Sequence, residues 1–430
     1  MIEAKIVLQP DREKPVRNQH PWVFSRAIQS VNGAPQMGDV VTLVNEKGKF
    51  LARGYWNENS QIQLRLLTWQ DEAITEAWWR SRIERALIAR LSDPERLNNP
   101  RAAYRAINAE NDFLPGLVID VYANFAVLQA LTAGIDARKD MLARLFNDVY
   151  NELVDHPLRG VFERSDVDAR SKEGLKSANG VLIGDAPPDK IEIHEATGID
   201  DGEVRYFVDV QRGHKTGFYL DQRENRALAA HAVANALIPP EDGIRMLNLF
   251  SYTGGFGIAG LYGAAQASEK AGTIVNVDAS NDALELADEN YKLTFDGRSE
   301  FDYTKQYELI QADVFDYLRD QVTERQKYDV IVCDPPKFAH NAGQVDRAAR
   351  GYKDLNLQCF KLMNEGGLMM TFSCSGAISR DLFQKIVFGA LADSGRQGQI
   401  LTQLGAGNDH PVALTFPEGE YLKGLLLRVY

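Results

Sequence analysis

The sequence predicts an α/β protein whose C-terminal half holds a parallel sheet. A central α+β segment and an N-terminal run of short strands precede it. Three observations predict this. From Val204 onward, apolar runs of strand length alternate with amphipathic runs of helix length, as parallel crossovers require. Arg245 to Gly257, RMLNLFSYTGGFG, reads as a buried strand, a turn at Gly254, Gly255 and Gly257, and then a helix from about Ile258 to Gly263. Residues 1 to about 70 alternate strand-length runs with turn signals.

The composition is that of a globular chain: 430 residues, 44% hydrophobic and 25% charged. That length exceeds one core and predicts two or three domains. No apolar run is long enough to span a bilayer, and MIEAKIVLQPDREK lacks the pattern of a signal peptide, so a cytoplasmic location and no membrane partner are expected. Three cysteines, at 333, 359 and 374, make neither a disulfide framework nor a metal site. Net charge is −12, which argues against blanket nucleic-acid binding. Residues 1–70, however, hold nine Lys/Arg and six Asp/Glu, a net of +3. Any RNA contact is expected first there.

The N-terminal strands are expected at Lys5–Leu8, Val40–Val44, Phe50–Tyr55 and Gln61–Leu67, as a small β-barrel over residues 1–72. The α+β segment, residues 73–198, opens with a helix from Asp71 to about Arg90 carrying Trp78, Trp79, Ile83, Leu87 and Leu91. Two strands follow within Tyr104–Thr132, then a helix over Asp136–Leu153. Further strands are expected at Val161–Arg164 and Ile191–Glu195, with a loop near Ser171–Gly184 between them. Asp166, Asp168 and Glu173 read as a solvated face, and this segment has no catalytic cluster. In the third domain, 199–430, a strand at Val204–Val210 leads through GHKTGFYLDQREN into a helix. Asp221 and Glu224 fit a capping box there, Leu228, Ala232 and Leu237 an apolar stripe, and Pro239-Pro240 a stop.

Ligands of an open α/β sheet bind beyond the carboxyl ends of its strands. Five such stations occur in order: SYTGGFG after the first strand, Asp278 after Thr273–Val277, Asp313 after Glu308–Gln311, Asp334 in DPPKF after Tyr328–Cys333, and Cys374 in SCSG after Gly367–Phe372. Asp278 and Asp313 taken alone also fit plain helix N-caps. Asp278 lies 24 residues beyond Gly254, close to the spacing at which an acid meets a ribose. There is no phosphate-binding G-x-x-x-x-G-K-[ST], and the GGFG turn lacks a basic residue for a pyrophosphate. A ligand with ribose and adenine but no phosphate suits the stations better, and S-adenosylmethionine is that ligand. The last strands are expected at Val412–Phe416 and Leu422–Val429, joined by a hairpin at Glu418-Gly419.

HPWVFSRAI and GDVVTLVNEKGKFLARGYWN resemble a PUA domain, a small RNA-binding barrel. DPPKF and FSCSG resemble class I methyltransferases that modify nucleic-acid bases. With TGFYLDQRENR, the whole chain resembles the bacterial large-subunit ribosomal RNA 5-methylcytosine methyltransferases, most strongly over 204–430. The resemblance implies a Rossmann-like class I methyltransferase domain at the C-terminus, S-adenosylmethionine as cofactor and large-subunit ribosomal RNA as partner; a homodimer is left open. It places cofactor contacts at Phe250, Tyr252, Thr253, Gly254, Asp278, Asp313, Asp334, Gln222 and Arg223.

Carbon 5 of cytosine is a poor nucleophile, and a thiolate added at C6 activates it. Cys374 is the expected nucleophile and Asp334 the partner of the N3/N4 edge. Lys337, or an arginine of the next loop, is the expected cation that lowers the thiol pKa. Cys333 and Cys359 are expected in the core. Other RNA cytosine methyltransferases carry a second cysteine where this chain has Lys337, so one cysteine fits uracil C5 chemistry as well. Methylation of a guanine exocyclic nitrogen, or an inert RNA-binding adaptor, are the alternatives. Arg347, Arg350 and Lys353 in Ala339–Lys353 read either as a phosphate-clamping loop or as a solvated helix start.

Overall fold

Apolar residues on alternate positions pull the N-terminal strands onto a common core. In the computed structural model, which describes residues 4–235, 243–267, 272–297 and 302–430, these strands are β1 (Lys5–Leu8), β2 (Trp22–Phe24), β3 (Ile28–Asn32), β4 (Val40–Val44), β5 (Phe50–Trp56) and β6 (Ile62–Thr68). They form a six-stranded sheet in the order β2-β6-β5-β4-β1-β3, with the short helix α1 (Glu13–Arg17). Ile6, Leu8, Val41, Leu43, Ala52, Leu64 and Leu66 fill its core. Strands β2 and β3 escaped the sequence reading because β3 is almost wholly exposed and β2 is only three residues long. Their backbone ladders hold them, with Val23 and Ile28 the side chains that reach the core.

The chain divides into two compact units. The first comprises Met1–Ile193, Val208–Leu220 and Asn408–Gly419; the second comprises His194–Phe207, Asp221–Gly407 and Glu420–Tyr430. Besides the N-terminal sheet, the first unit holds α2 (Glu76–Leu91), α3 (Pro94–Asn98), α4 (Ala133–Asp136), α5 (Lys139–Leu153) and a five-stranded sheet. Its strands are β7 (Ala103–Asn108), β8 (Leu117–Tyr122), β9 (Phe125–Ala130), β10 (Gly160–Ser165) and β11 (Ala178–Gly184), in the order β11-β10-β9-β8-β7. The stretch read as two strands is therefore three. Helix α2 starts later than expected because Thr75 caps it, accepting a hydrogen bond from Trp78 N at 3.2 Å.

Two expectations in this unit are corrected. The segment read as a loop near Ser171–Gly184 contains β11, which pairs antiparallel with β10. Glu173 is not solvated. It is 3% exposed and accepts from Asn57 Nδ2 at 2.9 Å, Ser60 Oγ at 2.7 Å and Arg65 at 2.9 Å. Arg65 also reaches Glu110 at 2.8 Å. A long-range salt-bridge partner, not local polarity, put Glu173 inside. Tyr55 and Leu67 of the N-terminal sheet belong to the same buried cluster as Trp79, Ile119 and Phe146.

Strands β12 (Ile191–Ala196) and β13 (Glu203–Val208) form a two-stranded sheet. Helix α6 (Arg223–Ala234) follows. The expected capping box is absent: the N-cap residue is Gln222, with no side-chain cap bond, and Asp221 instead accepts from the Tyr421 hydroxyl at 2.6 Å. The buried face is Asn225, Arg226, Ala229, Ala230 and Val233, while Leu228 and Ala232 are half-buried. Leu237 and Pro239-Pro240 lie outside the described residues.

The main sheet contains β14 (Ile244–Leu249), β15 (Gly272–Asp278), β16 (Tyr307–Gln311), β17 (Tyr328–Cys333), β18 (Met363–Ser373), β19 (Gly398–Gly405) and β20 (Lys423–Val429). Its order is β16-β15-β14-β17-β18-β20-β19. The first five strands are parallel, and β20 is antiparallel to both neighbours. The crossovers are α7 (Gly255–Ala267), α8 (Asn281–Phe295), α9 (Val314–Thr323), α10 (Val345–Leu362) and α11 (Arg380–Ser394). This is the Rossmann-like class I arrangement, with its order reversing between β14 and β17. The expected strand at Val412–Phe416 is not one. Those residues turn within the first unit and Leu414 is fully exposed; β19, mostly exposed, pairs with β20 instead. The Ala339–Lys353 stretch is mostly helix: α10 begins at Val345 and carries Arg347, Arg350 and Lys353. Among the described residues, no helix is long and apolar enough to cross a membrane.

Candidate active site

The site sits where parallel strands end. Strand β14 delivers Phe250 and Tyr252 in left-handed backbone, with φ of 57° and 47°. Such conformations cost on the order of 1–3 kcal/mol each and persist only when the surroundings impose them. One such constraint is Asp278 at the end of β15. Its Oδ2 accepts from Tyr252 N at 2.8 Å and its Oδ1 from Ser280 N at 2.9 Å. Ser280, not Asp278, caps α8. The Asp278 carboxylate is thereby oriented by two backbone donors, and each oxygen keeps a further lone pair for a ligand hydroxyl.

The glycines divide their labour. Gly254 adopts φ +81°, which an L side chain resists, and opens the turn. Gly257 serves packing: an added Cβ would lie 2.2 Å from Asn276 Oδ1 and 2.4 Å from the Tyr291 hydroxyl. At the turn, Ser251 Oγ and Thr253 Oγ1 are buried and have no hydrogen-bond partner among the described residues. An orphaned buried hydroxyl costs about 1–3 kcal/mol. Two of them beside the N-terminus of α7 suit a ligand carrying its own polar groups.

The remaining stations differ in kind. Asp313 is exposed and caps α9, accepting from Phe315 N at 2.9 Å and Asp316 N at 3.2 Å. Asp334 is half-buried one residue beyond β17, and Gln222 Nε2 donates to its Oδ2 at 2.9 Å. Gln222 is 2% exposed, and its Oε1 accepts from Asn225 Nδ2 at 2.6 Å. Arg223 pairs with Glu224 at 3.0 Å. Lys337 is exposed and lines a cavity of about 370 Å³ with Phe315, Phe338, Gln344, Arg347 and Gly351.

Strands β17 and β18 pair Cys333 with Thr371, so the ends of both strands reach the same sheet edge. There the half-buried Cys374 lies 3.9 Å, Sγ to O, from the Pro335 carbonyl. The two loops are tied beneath it: Ser375 Oγ accepts from Ala339 N at 3.1 Å and stands 3.0 Å from the Tyr352 hydroxyl. Cys333 and Cys359 are in the core, as expected. Their mutual hydrogen bond, then burial, pushes the Cys333 thiol well up and makes it inert.

Sequence reasoning missed Lys423. It is 2% exposed, and its Nζ donates to Ser375 O at 2.8 Å and Ile378 O at 2.7 Å. Burial pushes its ammonium down to about 8, while the charges of Cys374 and Glu420 act to raise it. A lysine inside the apolar run YLKGLLLRV was the available signal. The orphaned hydroxyls at Ser251 and Thr253 carried none.

Residues 6–69 match the family model of a PUA-like domain, and residues 189–389 match that of an S-adenosylmethionine-dependent methyltransferase. The chain is 44% identical over 428 residues to ribosomal RNA large subunit methyltransferase I of Tolumonas auensis, covering 99% of this chain and 100% of that one. It is 43% identical over 432 residues to the protein of the same name from Shewanella amazonensis, covering 100% of both. Among solved structures it resembles a SAM-dependent methyltransferase from Streptococcus mutans, with a TM-score of 0.76, 21% identity and 99% of both chains covered. It also resembles a methyltransferase solved in complex with SAH, with a TM-score of 0.77, 22% identity and 100% of both chains covered. With the strand order and strand-end groups above, these likenesses establish that the chain belongs to the ribosomal RNA large subunit methyltransferase I family, a PUA-like domain joined to an S-adenosylmethionine-dependent methyltransferase domain.

Proposed function

We propose that this protein methylates carbon 5 of a cytosine in large-subunit ribosomal RNA through a covalent Cys374 adduct. The observation that carries the reading is the approach of two loops: Cys374 lies 3.9 Å from the carbonyl of Pro335, the residue after Asp334. One carboxylate and one thiol thus serve the same sheet edge. Methylation of an exocyclic amine needs no thiol there.

S-adenosylmethionine, when bound, supplies an electrophilic methyl group. Ser251, Thr253 and Gly254 would hold its methionine end. Asp278 would take its ribose hydroxyls, and Asp313, Phe250 and Tyr252 would bound the rest. The Cys374 thiolate forms a bond to C6, and the C5–C6 electron pair becomes nucleophilic at C5. From the C5-methylated adduct the C5 proton passes to solvent, its C–H electrons re-form the C5–C6 double bond, and the C6–S bond breaks with its electrons returning to the Cys374 thiolate. Asp334 hydrogen-bonds the N3/N4 edge and stabilises the N3-protonated adduct. Gln222 orients Asp334. A base within paired RNA must be flipped out to reach Cys374. The N-terminal domain, whose first 70 residues carry a net +3, would contact the RNA backbone.

Nucleoside mass spectrometry of ribosomal RNA from cells with and without the gene tests the reading. Loss of 5-methylcytidine at one large-subunit position is expected. Loss of a methylated uridine or guanosine instead would replace the cytosine assignment.

A further inference from the structure

We propose that Lys423 positions Cys374 and supplies the buried positive charge that holds its thiol as thiolate, a role that rests on Cys374 being the nucleophile. Lys423 opens β20, facing Ser373 on one neighbouring strand and Gly405 on the other. An ammonium has three N–H donors. Two of them hold the carbonyls of Ser375 and Ile378, which bracket the turn following Cys374. The side chain therefore grips the loop that presents the thiol.

The charges around it single out the same partner. A buried ammonium bound to neutral carbonyls is costly without an anion nearby. Cys374 and Glu420 are the groups that favour its charge, and Arg380 and Lys337 oppose it. Glu420 is already engaged by Arg380 at 2.7 Å. Asp334 is bound by Gln222. Tyr352, whose ring lies under the loop, is held neutral by burial. Cys374, on the loop that Lys423 grips, is thus the anion assigned to it. The exposed Lys337 cannot lend comparable stabilisation, because solvent screens its charge.

The test is the rate at which iodoacetamide alkylates Cys374 in the full-length protein, without RNA or cofactor, read by peptide mass spectrometry across the thiol titration range. In the wild type the midpoint is expected below the ~8.5 of a free cysteine. Lys423→Met should raise it by at least about one unit, a roughly tenfold loss of thiolate at neutral pH. Lys423→Arg, which keeps the charge, should stay closer to the wild type. A loss of loop order alone would change the maximal rate without moving the midpoint. A wild-type midpoint near ~8.5, or a Lys423→Met midpoint equal to the wild type, overturns the proposal. Should Lys423→Met not fold, the wild-type midpoint decides by itself. Full methyl transfer by Cys374→Ala would sink the nucleophile assignment while leaving this midpoint intact, so the two failures are distinguishable.

Discussion

The Gln222 amide donates to Asp334 Oδ2 at 2.9 Å, while Asn225 holds the other end of the same amide at 2.6 Å. The pair joins residues 112 positions apart and leaves the Gln222 N–H pointing one way. A hydrogen bond to a charged group contributes about 1.5–3 kcal/mol. Gln222→Leu should therefore lower kcat/KM for methyl transfer roughly ten- to a hundredfold. Calorimetric affinity for S-adenosylmethionine should change little. A loss confined to cofactor affinity would instead make Gln222 a cofactor ligand.

Cys374→Ala should abolish methyl transfer, by about a thousandfold or more, with thermal stability near that of the wild type. Cys359→Ala provides the contrast. That thiol is fully buried and hydrogen-bonded to the Cys333 thiol inside the core, so its removal should cost about 1 kcal/mol of stability and keep the activity. Stopped assays of both variants on an RNA fragment would reverse the assignment if their effects were exchanged.

Gly257→Ala presses a methyl group against Asn276 and Tyr291. Overpacking of this kind costs about 1–3 kcal/mol. The variant should unfold at lower denaturant and bind S-adenosylmethionine more weakly, because α7 begins at the glycine turn. Unchanged stability would mean that the helix shifts to absorb the methyl group.

Glu173→Ala should strongly destabilise the first unit. It leaves Arg65 short of one of two carboxylates, in a site where their side chains are 11% and 4% exposed. Breaking a buried pair from one side costs about 3–5 kcal/mol. Hydrogen exchange across residues 57–65 should accelerate sharply; protection equal to the wild type would contradict the buried network.

Lys423 also sets a pH dependence of stability. Its folded pKa, about 8, lies below the ordinary lysine value, so the unfolded chain binds its proton more tightly. Stability from this group is therefore reduced below pH 8 and recovers as pH rises from there toward ~10.4. Relative to Lys423→Met, the wild type should gain on the order of 2 kcal/mol across that window. A parallel pH profile for the two proteins would refute it.

The sequence by itself determined the order of elements and the identity of the strand-end groups. Alternating apolar runs placed β1, β4 and β17 to the residue. The acids and the thiol stood where an open parallel sheet exposes them, because a strand's last residue and the turn after it are local properties. Only the tertiary structure decided which of these groups meet. It set Gln222 on Asp334, made Asp313 a helix cap, buried Glu173 against Arg65, and put Lys423 beneath the Cys374 loop. It also moved the penultimate strand to Gly398–Gly405, which leaves Ile400 and Leu401 exposed and shows no buried stripe. Such pairings join residues tens to hundreds of positions apart. Their energy comes from desolvated charge and hydrogen-bond geometry, which periodicity along the chain does not encode.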